Sequence, residues 1–85
     1  MINLTDIRQV KSLQGHIKST FGGPSGEETL KFLEQACGWY ESIFDPQSKD
    51  RILINAGRRE VVATIKTFLN HEPEHIVAMA KQKES

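Results

Sequence analysis

The sequence predicts an all-α domain, a small bundle of three main helices with a short fourth at the C-terminal end. Three observations carry this. Apolar residues recur at spacings of three and four in separate runs, which sets them on single helix faces. Gly- and Pro-bearing breaks separate those runs. No segment alternates apolar and β-branched residues with polar ones at period two, so no sheet is expected. Eighty-five residues make one domain, with helices expected over about residues 5–20, 25–38, 49–70 and 73–82.

In the first helix, Thr5 is suited to the N-cap, with Asp6 in the first turn. Ile7, Val10, Leu13, Ile17 and Phe21 form its apolar face, and Arg8, Lys11 and Lys18 make its outer side basic. Gly15 can mark a kink or a helix contact. Phe21-Gly22-Gly23-Pro24 is a stop followed by a turn.

Ser25 and Glu28 have the spacing of a capping box opening the second helix. Leu30, Phe32, Leu33, Ala36, Cys37 and Tyr40 cover a wide arc, as expected of a helix touched on more than one side. Gly38 is a natural left-handed terminator. Trp39-Tyr40 and Ile43-Phe44 then make an aromatic-rich corner, either a core plug or an exposed anchor for a partner.

The longest unbroken pattern is the third helix, expected over about 49–70. Ser48 or Asp50 can cap it, and Asn70 followed by Pro73 marks its stop. Ile54, Val61, Ile65 and Phe68 define its apolar face, with Val62 and Leu69 beside them. Two residues interrupt this pattern. Gly57 costs about 1 kcal/mol against Ala in a helix interior, a cost explained if another helix approaches there. Arg58 falls on the apolar stripe, so it either snorkels to water or pairs with a carboxylate such as Glu34 or Glu41. Arg59, about 100° further round, points to solvent or to a partner. In the fourth helix Pro73 suits the first position, Ile76, Val77 and Ala80 can dock, and Lys81 onward should fray.

The ordered set Phe21-Gly22-Gly23-Pro24-Ser25-Gly26, Leu30-x-x-Leu33-x-x-x-Cys37-Gly38, Phe44-Asp45-Pro46 and Ala56-Gly57-Arg58-Arg59-Glu60-Val61 resembles a family of small proteins of tailed bacteriophages. Members are encoded among virion and head-morphogenesis genes. The resemblance covers about residues 20 to 70. It implies a late, virion-associated protein or an accessory of head, portal or tail assembly, acting by protein–protein contacts. It supplies no catalytic residues. The implied partners are phage virion proteins or the chain itself, and the implied location is the host cytoplasm or the particle. Within that setting Arg59, Trp39 and Tyr40 are the candidate partner-binding residues, and Gly57 and Arg58 the structural ones. An early protein that inhibits a host protein is the competing class.

Eleven basic residues balance eleven acidic ones, which argues against a chain whose main task is gripping a phosphate backbone. A weaker nucleic-acid reading rests on Arg8, Lys11 and Lys18. Cys37, the lone cysteine, suits a reducing compartment and reads as a small apolar residue. No signal peptide and no bilayer-spanning run is expected. His71-Glu72-Pro73-Glu74-His75 has the letters of the zinc-protease motif H-E-x-x-H. That motif needs one continuous helix, and Pro73 breaks it at a cost of about 3 kcal/mol. No metal, no cofactor and no catalysis are therefore expected. The Gly22–Gly26 turn could cradle an anion, but Glu27 and Glu28 already occupy the helix dipole.

Overall fold

The computed structural model describes residues 1–84. It holds four helices: α1 (Ile7–Phe21), α2 (Pro24–Ala36), α3 (Lys49–Asn70) and α4 (Pro73–Glu84). No strand occurs among the described residues. The all-α expectation stands.

The helix limits follow local chemistry. Asp6, not Thr5, caps α1, its carboxylate accepting the Arg8 N–H at 2.9 Å. Thr5 is drawn instead into a turn with the Asn3 side chain. At α2 the capping box does not form: Gly23 is the N-cap, without a side-chain hydrogen bond, and Pro24 takes the first helical position. Its fixed φ is already helical and its missing N–H would go unpaired there anyway, so the helix starts one residue early. Gly38, with φ of +68°, ends the α2 region as expected. The N–H of Trp39 reaches the Glu34 carbonyl and that of Gly38 the Gln35 carbonyl, which is the Schellman arrangement. Ser48 caps α3 by accepting the Arg51 N–H at 3.2 Å. In α4 the helix continues through Lys81–Lys83, where fraying was expected. Ser85 lies outside the described residues.

Both α1 and α3 touch every other helix, and α1, though shorter, makes the more extensive contacts. Its stripe feeds the core of Val10, Phe68, Ile76 and Val77, against which Ile7, Leu13, Ile17 and Met79 pack. Burying such side chains is worth about 1.5–3 kcal/mol each. Gln14 lies on the same stripe, one turn after Val10, and is buried. Its side-chain amide donates to the carbonyls of Phe68 (2.9 Å) and His71 (2.7 Å). It thus satisfies groups that the end of α3 leaves without helical partners.

Close approach of backbones occurs at Gly26, which is buried. A Cβ there would lie 2.2 Å from the Thr20 carbonyl oxygen and 2.5 Å from the Phe21 Cα. Gly57, expected to admit a helix, has nothing of this chain within 4 Å of a would-be Cβ, and neither has Gly15.

The expected phase of α3 is corrected. Val62 and Phe68 are buried, whereas Ile54 and Val61 are 56% and 60% exposed. The physical reason is that apolar residues come in adjacent runs, Ile52-Leu53-Ile54 and Val61-Val62. A stripe can be drawn through either edge, and the contacts with α1 and α2 select the Val62 side. The molecule is flat, 44 × 38 × 20 Å, about two helix diameters thick.

Candidate functional site

The corner between α2 and α3 is built around Trp39. The left-handed turn at Gly38 swings the chain back, so that the half-buried Trp39 ring lies against α3. Two cations from α3 cover it. The Arg59 guanidinium carbon is 5.2 Å from the ring centroid and the Lys66 ammonium 4.6 Å, both within cation–π range. Arg59 and Lys66 are seven residues apart, two helical turns, so they share one face.

Lys66 also pairs with Glu34, its Nζ 3.0 Å from the carboxylate. Glu34 is 6% exposed, and a carboxylate so enclosed needs its partners. Its second oxygen accepts a hydrogen bond from the Tyr40 hydroxyl. That bond first, and the Lys66 contact second, hold the Glu34 carboxyl below its usual range. The same bond pushes the Tyr40 hydroxyl up, because the phenol proton is held by the carboxylate. A polar chain Tyr40–Glu34–Lys66 therefore runs beside Trp39 and joins α2 to α3.

The sequence-predicted residues are placed as follows. Trp39 is half-buried under Arg59 and Lys66, outside the main core cluster, whereas Tyr40 is 77% exposed. Arg59 is on the inward face and half-buried; its Nε is enclosed and makes no hydrogen bond among the described residues. Arg58 is exposed and donates to the Asn55 side chain at 3.3 Å, close to Gly38. The exposure expected of the two arginines is thus exchanged, a direct result of the shifted helix phase. The carboxylate in the buried pair is Glu34, as one expectation had it, but its cation is Lys66. Gln14 and Lys66 were not singled out from the sequence. The signal for each was a polar residue within an otherwise buried stripe.

The loop after Tyr40 is tied down by hydrogen bonds. Ser42 Oγ accepts the Phe44 N–H, Asp45 accepts the Gln47 N–H, and Asn55 donates to the Ile43 carbonyl at 3.3 Å. This last bond ties the loop to α3 and leaves Phe44 66% exposed. Tyr40 and Phe44 therefore stand out from an anchored turn.

His71 and His75 occupy different backbone states, His71 extended at the α3 cap and His75 within α4. Their rings nevertheless stack, 4.9 Å apart. No group of three metal-ligating side chains occurs among the described residues. Cys37 is half-buried at the α2 cap. Arg8, Lys11 and Lys18 are exposed on α1. No helix among the described residues is long and apolar enough to cross a membrane.

A family model described as "Bbp19-like phage protein" matches residues 17–81. Neither the curated proteins nor the solved structures yield a match to the chain.

Proposed function

The chain belongs to the family of Bbp19-like phage proteins, and on that premise we propose that it is a non-enzymatic accessory of the phage particle. In this reading it works in head, portal or tail assembly, or within the finished virion, by docking on another phage protein. The observation that carries the proposal is the α2–α3 corner. Tyr40 and Phe44 are large, exposed and held on a bonded turn, which lowers the entropy lost on binding. Aromatic and arginine side chains are the usual anchors of protein interfaces.

The lowered Asp6 and Glu34 carboxyls and the raised Tyr40 hydroxyl are each explained by a cap or by the corner network. Zero formal net charge favours a protein partner over a nucleic acid. Location in the host cytoplasm, with passage into the particle, belongs to the same proposal.

The test is mass spectrometry of purified particles and of assembly intermediates. The expected result is the chain in at least one of them at a stoichiometry comparable to known particle components. Its presence only in early lysates, bound to a host protein, contradicts the proposal and favours host inhibition.

A further inference from the structure

The outward side of α1 is a basic face. Around the helix, Lys18, Lys11, Gly15, Arg8, Ser19 and Ser12 fill an arc of about 120°. All six are exposed, and the arc lies opposite the buried Val10. No acidic residue occurs anywhere in α1. The ion pair among the described residues is Lys66–Glu34, so neither Lys11 nor Lys18 has a carboxylate partner there. Arg8 lies near Asp6, but that carboxylate is already engaged by the Arg8 N–H and the Gln9 side-chain amide.

We infer that this face binds the phosphate backbone of double-stranded nucleic acid, without reading its sequence. The make-up of the face selects the occupant. The centre of a protein interface is apolar and poor in lysine, whereas this arc holds no apolar side chain and carries two lysines. Phosphate oxygens are contacted by Arg, Lys and Ser side chains, and these are five of the six residues here. Single strands are held by stacking bases on aromatic rings; the arc has none, which favours a duplex. Gly15, near its middle, has nothing within 4 Å of a would-be Cβ, so a backbone can come close. The three cations span about 15 Å along α1, the axial length of roughly four phosphates on one strand of a duplex.

The neutrality of the whole chain does not cancel this field. Exposed charges are screened over about 8 Å at physiological salt, so their distribution matters more than their sum. That distribution is uneven. The α1 helix carries three cations and no acid, whereas the connection 37–48 carries Glu41 and Asp45 and no cation. Acids also bound the face at its ends. Asp6 caps α1, and Glu27 follows Gly26, which packs on Thr20 and Phe21. The contact is therefore confined to about three phosphates, and it is weak and salt-sensitive. It adds to the docking of the Tyr40–Phe44 corner and does not depend on it.

The test is fluorescence anisotropy of a labelled, mixed-sequence DNA duplex with the full chain. Three released counterions give a log–log salt slope of about −2.7, so affinity should fall about 40-fold between about 50 and 200 mM salt. At the lower salt R8Q/K11Q/K18Q should bind about tenfold or more weakly. K49Q/R51Q/R58Q removes the same charge from exposed positions of α3 and should bind within about threefold of wild type. Circular dichroism should show all chains equally helical. Should R8Q/K11Q/K18Q fail to fold, S12E/S19E decides, because it keeps the cations and sets acids among them; it should bind as weakly. No binding by wild type at the lower salt, equal losses in the two triple variants, or wild-type binding by S12E/S19E would each overturn the proposal. So would displacement of the duplex by poly-glutamate or by phosphatidylserine vesicles at equal charge concentration, which would assign the face to an acidic protein or to a membrane surface.

Discussion

Arg59 lies with its guanidinium carbon 5.2 Å from the centroid of the Trp39 ring, a contact that belongs to the observed rotation of α3. Turning the helix by one residue would replace Arg59 with Arg58 and bring Ile54 and Val61 inward. Arg59→Ala therefore loses the cation–π contact and the packing of its stem, about 1–2 kcal/mol together. Arg58→Ala should change stability by about 0.5 kcal/mol or less. Urea unfolding of both variants measures this. A double-mutant cycle of Arg59→Ala with Trp39→Leu should return a coupling of about 0.5–2 kcal/mol. Zero coupling would remove the contact from the account.

The corner network makes stability depend on pH at both ends. Glu34 has a folded pKa below its usual 4.5, so the unfolded chain binds more protons just under that value. Its contribution is present above pH 4.5 and is lost as pH falls through the folded value. Tyr40 is raised above its usual 10.0, so its contribution is present below pH 10 and is lost as pH rises through the folded value. Thermal melts across pH should fall at both ends. Tyr40→Phe should remove the alkaline fall, and Glu34→Gln should flatten the acid one. An alkaline fall that persists in Tyr40→Phe would refer it to another group.

Lys66→Met tests the Glu34 pair. Lys66 keeps some contact with water, its side chain 29% exposed against 8% for Glu34. The expected loss is therefore about 2 kcal/mol, below the 3–5 typical of a fully buried pair. In a domain this small that is a fall in Tm of about 8–16 °C.

Two glycines should respond in opposite ways. Gly26→Ala drives a methyl group into the α1 backbone and should cost about 1–3 kcal/mol. Gly15→Ala meets open space in mid-helix and should gain up to about 1 kcal/mol. Equal shifts in the melts of the two would mean that α1 and α2 do not approach closely at Gly26.

Much of this fold was legible in the sequence, and the failures have common causes. The limits of α3 could be read because Ser48 and Asn70 act locally. Gly38 could be read because its left-handed conformation suits glycine above other residues. The phase of α3 could not, because Ile52-Leu53-Ile54 and Val61-Val62 offer two stripes and only the neighbouring helices choose between them. The start of α2 was misread because Pro24 outcompeted the Ser25 capping box. Gln14 was passed over because the two carbonyls it serves lie 54 and 57 residues away, a separation that periodicity does not reveal. The meeting of Trp39 with Arg59 and Lys66 was hidden for the same reason, although Trp39 itself stood out by its chemistry.

The central claim is that the chain works by docking the Tyr40–Phe44 corner on another phage protein. Its most direct test is capture from phage-infected cells with tagged wild-type and Phe44→Ser chains, followed by mass spectrometry. Circular dichroism should first show that both chains are equally helical. The account predicts that wild type retains a phage particle protein and that Phe44→Ser loses it at least tenfold. Equal retention by the two chains, or a host protein as the sole Phe44-dependent partner, would contradict it.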